Sequence, residues 1–502
     1  MLPLGLGIGL LHLAPLLASA DATPSDHTFL GYRHQASDVA QYLAIARESA
    51  ETGSPATHNP FVTEVHDGRF VVLFLWVVGL VHRFVGLSLP VAYHAVGVVA
   101  VGALGVAVYG LATRLLGTAR AGLATAVVLL AVGPPWLSLA FGAAERTEVL
   151  AYFWNWSTFG AAALPMWCAA LTGVVLGLRA LLAGHPGRAG LAVFLTYLTH
   201  PYTGVATGAL LTAVAVFGPA PVPQLTWARR LRVPGVAALL LAPVVLWQLG
   251  DPVFLATAEN AKGWVYRYTL WDALETQWPL WLLAGVGLSP LGRWVEAAGA
   301  SERGAARLVG GWLLLMVGLS QLPGMASVKF QYLTHLPLAL AAAAGVDASL
   351  RWAGRAGPAL GAAALLAGPA SLLLAETRAT RVDPFVHVPT DTLAVLAVLE
   401  AAPPGGVVTD PSLGNLVPWR TGKPVFAGHW FMSTEWPKRL AVLESLGRPE
   451  VPLEVKRSLL AAANLRYALL TPSFTLDAGL IAERLAESKT ATLVSLRTTA
   501  GR

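Results

Sequence analysis

The chain has 502 residues, of which 55% are hydrophobic and 12% charged, with a formal charge of +6 and a mean hydropathy of +0.60. Soluble domains carry about 25% charged residues, so this composition excludes an ordinary soluble fold. The positive charge lacks a basic stripe interleaved with aromatics and is read as membrane topology, so no nucleic-acid partner is expected.

Apolar runs near the roughly 20 residues that cross hydrocarbon recur until about residue 374. Alternation suited to a β-barrel is absent, so the fold class expected is a polytopic α-helical membrane protein. Cys168 is the single cysteine. It rules out an intrachain disulfide and most thiolate metal sites, and is read as a small buried hydrophobe.

Residues 1–20 are apolar and end in small residues but lack a basic start, and are read as a first crossing rather than a signal peptide. Residues 21–70 form the longest polar interval in the first three-quarters of the chain and are expected to be an external loop. Ordering so long a connection costs entropy, which points to a function at the membrane surface. Val71–Leu87 is interrupted by His82 and Arg83 and is read as a juxtamembrane or re-entrant helix.

Val91–Leu111 then runs inward to Arg114 and Arg120, and Ala121–Leu137 returns outward. Gly142–Ser157 is external and holds Glu145, Arg146 and Glu148. Gly160–Val175 runs inward to Arg179 and Arg188. The apolar stretch Leu191–Phe217 contains THPYTG, where Pro201 disrupts a continuous helix. Two short crossings meeting near His200 leave Arg229, Arg230 and Arg232 inside.

Val236–Leu249 leads outward to an external loop with Lys262 and Arg267. Pro279–Leu288 runs inward to Arg293, Arg303 and Arg307, Leu308–Leu322 outward, Tyr332–Ala344 inward to Arg351 and Arg355, and Ala359–Leu374 outward. This makes about eleven crossings, with the dense Arg clusters on one side. The domain division expected is 1–375 in the membrane and 376–502 as a small external α/β domain. In that tail, Val407–Thr409, Pro424–Ala427 and Tyr467–Thr471 read as strands and Asp410–Asn415 as a turn. Trp436–Leu446, Glu454–Ala463 and Ala478–Leu485 read as helices.

Asp38 is the leading candidate for chemistry. In QASDVAQYLAIARES the apolar residues Val39, Leu43 and Ala46 share one side, as in an interfacial helix. The carboxylate near its start could accept a proton or orient a sugar hydroxyl; the plainer reading of a Ser-Asp pair there is a helix cap. Tyr42 lies one turn later, and His58, Glu64 and His66 occupy the rest of the loop. Glu64 and His66 could supply a second acid or a phosphate contact, or simply face water.

Glu145 and Glu148, three residues apart, can share a helical face. They could orient a hydroxyl, or hold a divalent cation together with Asp38; Arg146 could instead neutralise one of them. No compact ligand motif assigns a metal. His200 and Tyr202 lie where a broken membrane helix frees polar backbone, a setting that suits a site as well as a packed histidine. Lys262, Arg267 and Lys329, with Tyr332 close by, are external-side groups able to neutralise a lipid phosphate or simply anchor the interface.

This order of elements resembles the GT-C membrane glycosyltransferases, which include protein O-mannosyltransferases and the aminoarabinose transferases of lipid A. The resemblance rests on Asp38 in SDVAQYLA, on NPFVTE at Asn59–Glu64, and on SVKFQYLTHLPLAL at Ser327–Leu340. DPSLGNLVPWRTGKPVFAGHW, Asp410–Trp430, is similar to bacterial relatives of that group.

The resemblance implies an inverting glycosyltransferase in the cell inner (plasma) membrane. Its implied donor is a polyprenyl-phosphate sugar and its acceptor a hydroxyl on a lipid, glycan or protein at the non-cytoplasmic face. Asp38 matches the family's catalytic acidic residue and Glu145 a second one in some members. No cofactor is implied beyond the possible divalent cation. The rival expectation is a transporter or a flippase of lipid-linked substrates, which interrupted helices also suit.

Overall fold

The computed structural model describes residues 6, 10, 13–32, 36–116, 125, 165–217, 225–260, 280–282, 284–285, 300–322, 330, 332–352 and 385–497. In chain order the elements that matter here are α1 (Ala14–Asp21), β1 (His27–Phe29), α2 (Ala36–Thr52), β2 (Ala56–Thr57), β3 (Phe70–Val71), α3 (Leu73–Val85) and α4 (Leu89–Leu116). These are followed by α5 (Pro165–Leu182), α6 (Pro186–Thr199), α7 (Pro201–Phe217), α8 (Arg232–Leu249), α9 (Pro252–Asn260), α10 (Ala300–Ser320) and α11 (His335–Trp352). The tail adds β4 (His387–Pro389), α12 (Thr390–Ala401), β5 (Gly406–Val408), α13 (Pro411–Thr421), α14 (Trp436–Gly447), α15 (Leu453–Ala462), β6 (Leu465–Leu470), β7 (Ile481–Glu487) and β8 (Thr492–Leu496).

The chain divides into two compact units. One comprises residues 1–15, 94–244 and 265–379; the other comprises 16–93, 245–264 and 380–502.

In the first unit α5, α6 and α7 pack on one another through small residues. Gly173 lies against Thr196, and Gly177 against Leu211 and Ala192, where a Cβ would collide. Such positions let apolar helices approach closely without a polar seam. Cys168 is buried on α5. The break between α6 and α7 falls at His200, which is extended (φ −153°, ψ 102°). Pro201 causes it, because the ring forbids helical geometry at the residue before it.

Among the described residues, three helical stretches are long and apolar enough to cross a membrane: Leu89–Leu115, Pro165–Leu182 and Trp227–Leu249. α3 has 13 residues, too few to cross, because 1.5 Å of rise per residue falls well short of the hydrocarbon thickness of about 30 Å. The expected crossing 359–374, and all of 121–137 but residue 125, lie outside the described residues.

The second unit holds the polar loop and the tail together. β1 pairs antiparallel with β4, with Thr28 opposite Val388 and Phe29 opposite His387. α2 buries Val39, Ala40, Leu43, Ala44, Ile45 and Ala46, and α3 packs on it so closely that a Cβ on Gly79 would stand 2.5 Å from the Ala46 carbonyl. The tail sheet has the order β5-β6-β8-β7, with β5 parallel to β6 and the other pairs antiparallel. Its core gathers Val408, Phe426, Leu446, Leu460, Leu465, Ala468 and Val494. Full burial of a large aliphatic side chain contributes about 1.5–3 kcal/mol.

The tail departs from the sequence reading at three places. Asp410–Asn415 is the start of α13 rather than a turn. Asp410 caps the helix by accepting the N–H groups of Ser412 and Leu413, and Pro411 supplies the first-turn φ. Ala478–Leu485 is a 3-10 turn at Ala478–Leu480 followed by β7, where pairing with β8 overrides helical propensity. Pro424–Ala427 makes a single bridge, Val425 to Val407, instead of a strand.

Candidate functional site

Asp38 lies in the first turn of α2, where the exposed helix N-terminus favours a negative charge. Its side chain is 30% exposed, and Oδ1 accepts a hydrogen bond from His429 Nε2 at 2.8 Å. It is therefore not spent on capping the helix. Among the described residues, Oδ2 accepts no hydrogen bond.

His429 is 2% exposed. Its Nδ1 accepts the backbone N–H groups of Phe431 and Met432, both at 3.3 Å. Two donors aimed at Nδ1 exclude a proton there. The network thus assigns the proton to Nε2, which donates to Asp38.

The sequence places this histidine by forcing two backbones together. A Cβ on Gly414 would stand 2.1 Å from the Ala427 carbonyl, and one on Gly428 would stand 2.5 Å from the Gly414 carbonyl. Only glycines permit that contact between α13 and the strand-like run before His429. Asn415 Nδ2 donates to Gly428 O, and Gly428 N donates to Ser433 Oγ.

Two asparagines fix the other side of the histidine loop. Asn59 Nδ2 donates to Met432 O at 2.8 Å and Thr257 Oγ1 at 3.1 Å, while its Oδ1 accepts Phe61 N. Asn260 Nδ2 donates to Phe431 O and Ser433 O. The Phe61 ring tilts against the His429 ring, with centroids 5.8 Å apart. The NPF run thus positions the partner of Asp38.

The other loop candidates fall on the same unit. Tyr42 is a partly exposed ring one turn beyond Asp38; burial, with the nearby Asp38 charge, pushes its phenol well above the ordinary value. His58 Nδ1 meets Glu48 Oε1 at 2.5 Å. His66 Nε2 accepts Asn59 N–H at 2.7 Å, so its Nδ1 donates to Glu64 O. Glu64 pairs with Arg439 at 2.6 Å. Burial opposes ionisation of Glu64, but the hydrogen bond and charge of Arg439 overcome it and hold the carboxyl below its usual range.

His200 and Tyr202 belong to the first unit. His200 is buried, with Nδ1 2.7 Å from Thr203 Oγ1 and its ring beside Trp167 and Tyr202. Tyr332 opens a 3-10 turn, Tyr332–Thr334. Glu145, Glu148, Lys262, Arg267 and Lys329 lie outside the described residues.

His429 and Arg439 were not among the candidates read from the sequence. The first falls within the run Asp410–Trp430 that carries the resemblance. Nothing local marked Arg439, which is 5% exposed and also donates to Phe426 O and Thr434 O. Among the described residues no three His, Cys, Asp or Glu side chains converge to hold a metal. The cation expected on Asp38 with Glu145 and Glu148 would draw on two carboxylates that lie outside the described residues.

No family model matches the chain, and no curated protein does. Solved structures do. ArnT from Cupriavidus metallidurans bound to undecaprenyl phosphate matches with TM-score 0.54 and 16% identity over 97% of each chain. The archaeal oligosaccharyltransferase AglB from Archaeoglobus fulgidus, in complex with an inhibitory peptide and a dolichol-phosphate, matches with TM-score 0.52 and 11% identity. That match covers 91% of this chain and 68% of AglB. The arabinofuranosyltransferase AftD from Mycobacteria matches with TM-score 0.52 and 14% identity over 97% of this chain, which spans 41% of AftD. Likeness at these identities carries the fold alone: the chain folds as ArnT, AglB and AftD do.

Proposed function

We propose that the protein transfers a sugar from a polyprenyl-phosphate-linked donor to an acceptor hydroxyl on the non-cytoplasmic face of the membrane. The observation that carries this reading is the Asp38 carboxylate, with one oxygen held by a buried histidine and the other accepting no hydrogen bond among the described residues. Support comes from the shared fold, since ArnT is bound to undecaprenyl phosphate and AglB to a dolichol-phosphate.

In the proposed reaction the acceptor hydroxyl gives its proton to Asp38 Oδ2 as its oxygen attacks the anomeric carbon. The bond from that carbon to the phosphate oxygen breaks, and the phosphate leaves with the electron pair. A single displacement of this kind inverts the anomeric centre. General-base assistance contributes about 10²–10⁴-fold. His429 acts as a positioning residue, because its Nε2–H fixes which carboxylate oxygen faces the hydroxyl.

Glu145 is proposed as a second acidic group. Tyr42, His58, Glu64, His66, Glu148, His200 and Tyr202 are proposed to shape the substrate sites, and Lys262, Arg267, Lys329 and Tyr332 to meet the donor phosphate. The proposal includes about eleven crossings in residues 1–375, with 376–502 outside.

The test is incubation of the purified, detergent-solubilised protein with defined polyprenyl-phosphate sugars and membrane-lipid, glycan and peptide acceptors. Release of free polyprenyl phosphate matched by glycosylated product supports the reading. Absence of transfer from every polyprenyl donor, in protein that is folded, would sink it.

A further inference from the structure

We propose that the second unit carries an anion site for the phosphate of a membrane-lipid headgroup, at a cavity away from the Asp38 carboxylate. The cavity has a volume of about 420 Å³ and opens between the end of α2, the end of α3, the start of α4 and the end of α13. Asp38 stands nine residues before Arg47 on α2. Nine residues advance about 13.5 Å along a helix and turn half-way round it, so the carboxylate faces elsewhere.

The charges and donors around the cavity are unevenly spent. Arg47 spends four of its five donors: its guanidinium donates to Glu51, Glu400, Trp419 O and Arg420 O. That one side chain also satisfies both acidic residues of the lining. Arg420 lies over the Trp419 ring at 5.0 Å and donates to no group among the described residues. Arg83 spends one donor, on Ala50 O at 3.1 Å. The indole N–H of Trp419, 4% exposed, has no acceptor among the described residues.

Two guanidinium groups with unspent forks therefore line one space, and both want an acceptor. Arg47, Arg83, Arg420 and the nearby Lys423 outnumber Glu51 and Glu400, giving an excess of two positive charges. Burial pulls the Lys423 ammonium below its ordinary value, and the Arg47 charge adds to that pull. A phosphate matches this set, since Arg forks bind its oxygens in pairs.

The surroundings identify the source as a lipid. Ser88, Leu89 and Pro90 of the lining begin a helix apolar enough to cross a membrane. Phe84 (75% exposed) and Val85 (65% exposed) stand beside Arg83 with most of their surface uncovered. An exposed apolar edge next to unspent cations, at the mouth of a crossing helix, is the chemistry of the headgroup layer.

Neither the site nor its test depends on the transfer reaction. The probes are dioctanoyl phosphatidylglycerol, inorganic phosphate and uncharged dioctanoylglycerol, titrated against the full-length solubilised protein. The expected result is saturable binding of phosphatidylglycerol, weakened tenfold or more in Arg83→Gln and in Arg420→Gln. Arg83→Lys should recover part of it, and Asp38→Asn should leave it unchanged. Equal affinity for inorganic phosphate would overturn the lipid assignment, and equal affinity for dioctanoylglycerol would overturn the anion site. Undiminished binding by both folded Gln variants would also overturn it.

Discussion

Asp38 and His429 are separated by 391 positions in sequence and meet at 2.8 Å. The histidine is locked from behind by two backbone N–H groups, so it can only donate forward. A carboxylate gripped at one oxygen has its other oxygen aimed, which is what a positioned base requires.

His429→Phe should keep the fold and lower kcat by about 10²-fold, the scale on which misplacement of a reacting group acts. KM should stay within a small factor of its original value. His429→Gln, which retains a donor, should recover part of the loss. A fall in KM-linked terms alone, with kcat intact, would remove His429 from the positioning role.

The Glu64–Arg439 pair should make stability depend on acid. Glu64 has a depressed folded-state pKa, so its contribution is present above the unfolded carboxyl value and is lost as pH falls through the lower, folded one. Glu64→Gln should flatten that part of a melting-temperature profile below about pH 4.5. The cost at neutral pH should be under about 1 kcal/mol, because the Glu64 side chain is half exposed. Arg439→Ala should be worse, about 1–3 kcal/mol, since it strands the carbonyls of Phe426 and Thr434.

Gly428→Ala should destabilise by about 1–3 kcal/mol, as inserted methyl groups do in tight packing. It should also cut turnover by moving the segment that leads into His429. Thermal unfolding and the transfer assay on the same preparation check both. Full stability with normal turnover would show that the Gly414–Gly428 contact is not needed.

Asp410→Ala should cost about 0.5–2 kcal/mol through loss of the α13 cap, read as a lower unfolding temperature. Asp410 also accepts the Thr471 hydroxyl at 3.2 Å, which puts the effect toward the upper end. Asp410→Asn should recover most of it.

Much of the local structure was legible because its causes are local. Pro201 announces the break at His200, and the spacing of Val39, Leu43 and Ala46 announces the buried face of α2. Asp-Pro at 410–411 opens a turn as readily as a capped helix, and the structure shows the capped helix. The strand β7 was hidden because AERLAE has helical propensity, and only its partner β8 makes it a strand. The carboxylate at position 38 stood out from its neighbours. Its partner did not, because no spacing rule links residues that two touching glycines and two asparagines bring together from distant segments.

The most direct measurement is turnover of Asp38→Asn with a polyprenyl-phosphate sugar, made on protein whose unfolding temperature matches the parent. The account predicts a loss of about 10²–10⁴-fold in kcat with donor binding preserved, and an inverted anomeric centre in the residual product. Transfer at the parental rate by that variant would contradict it.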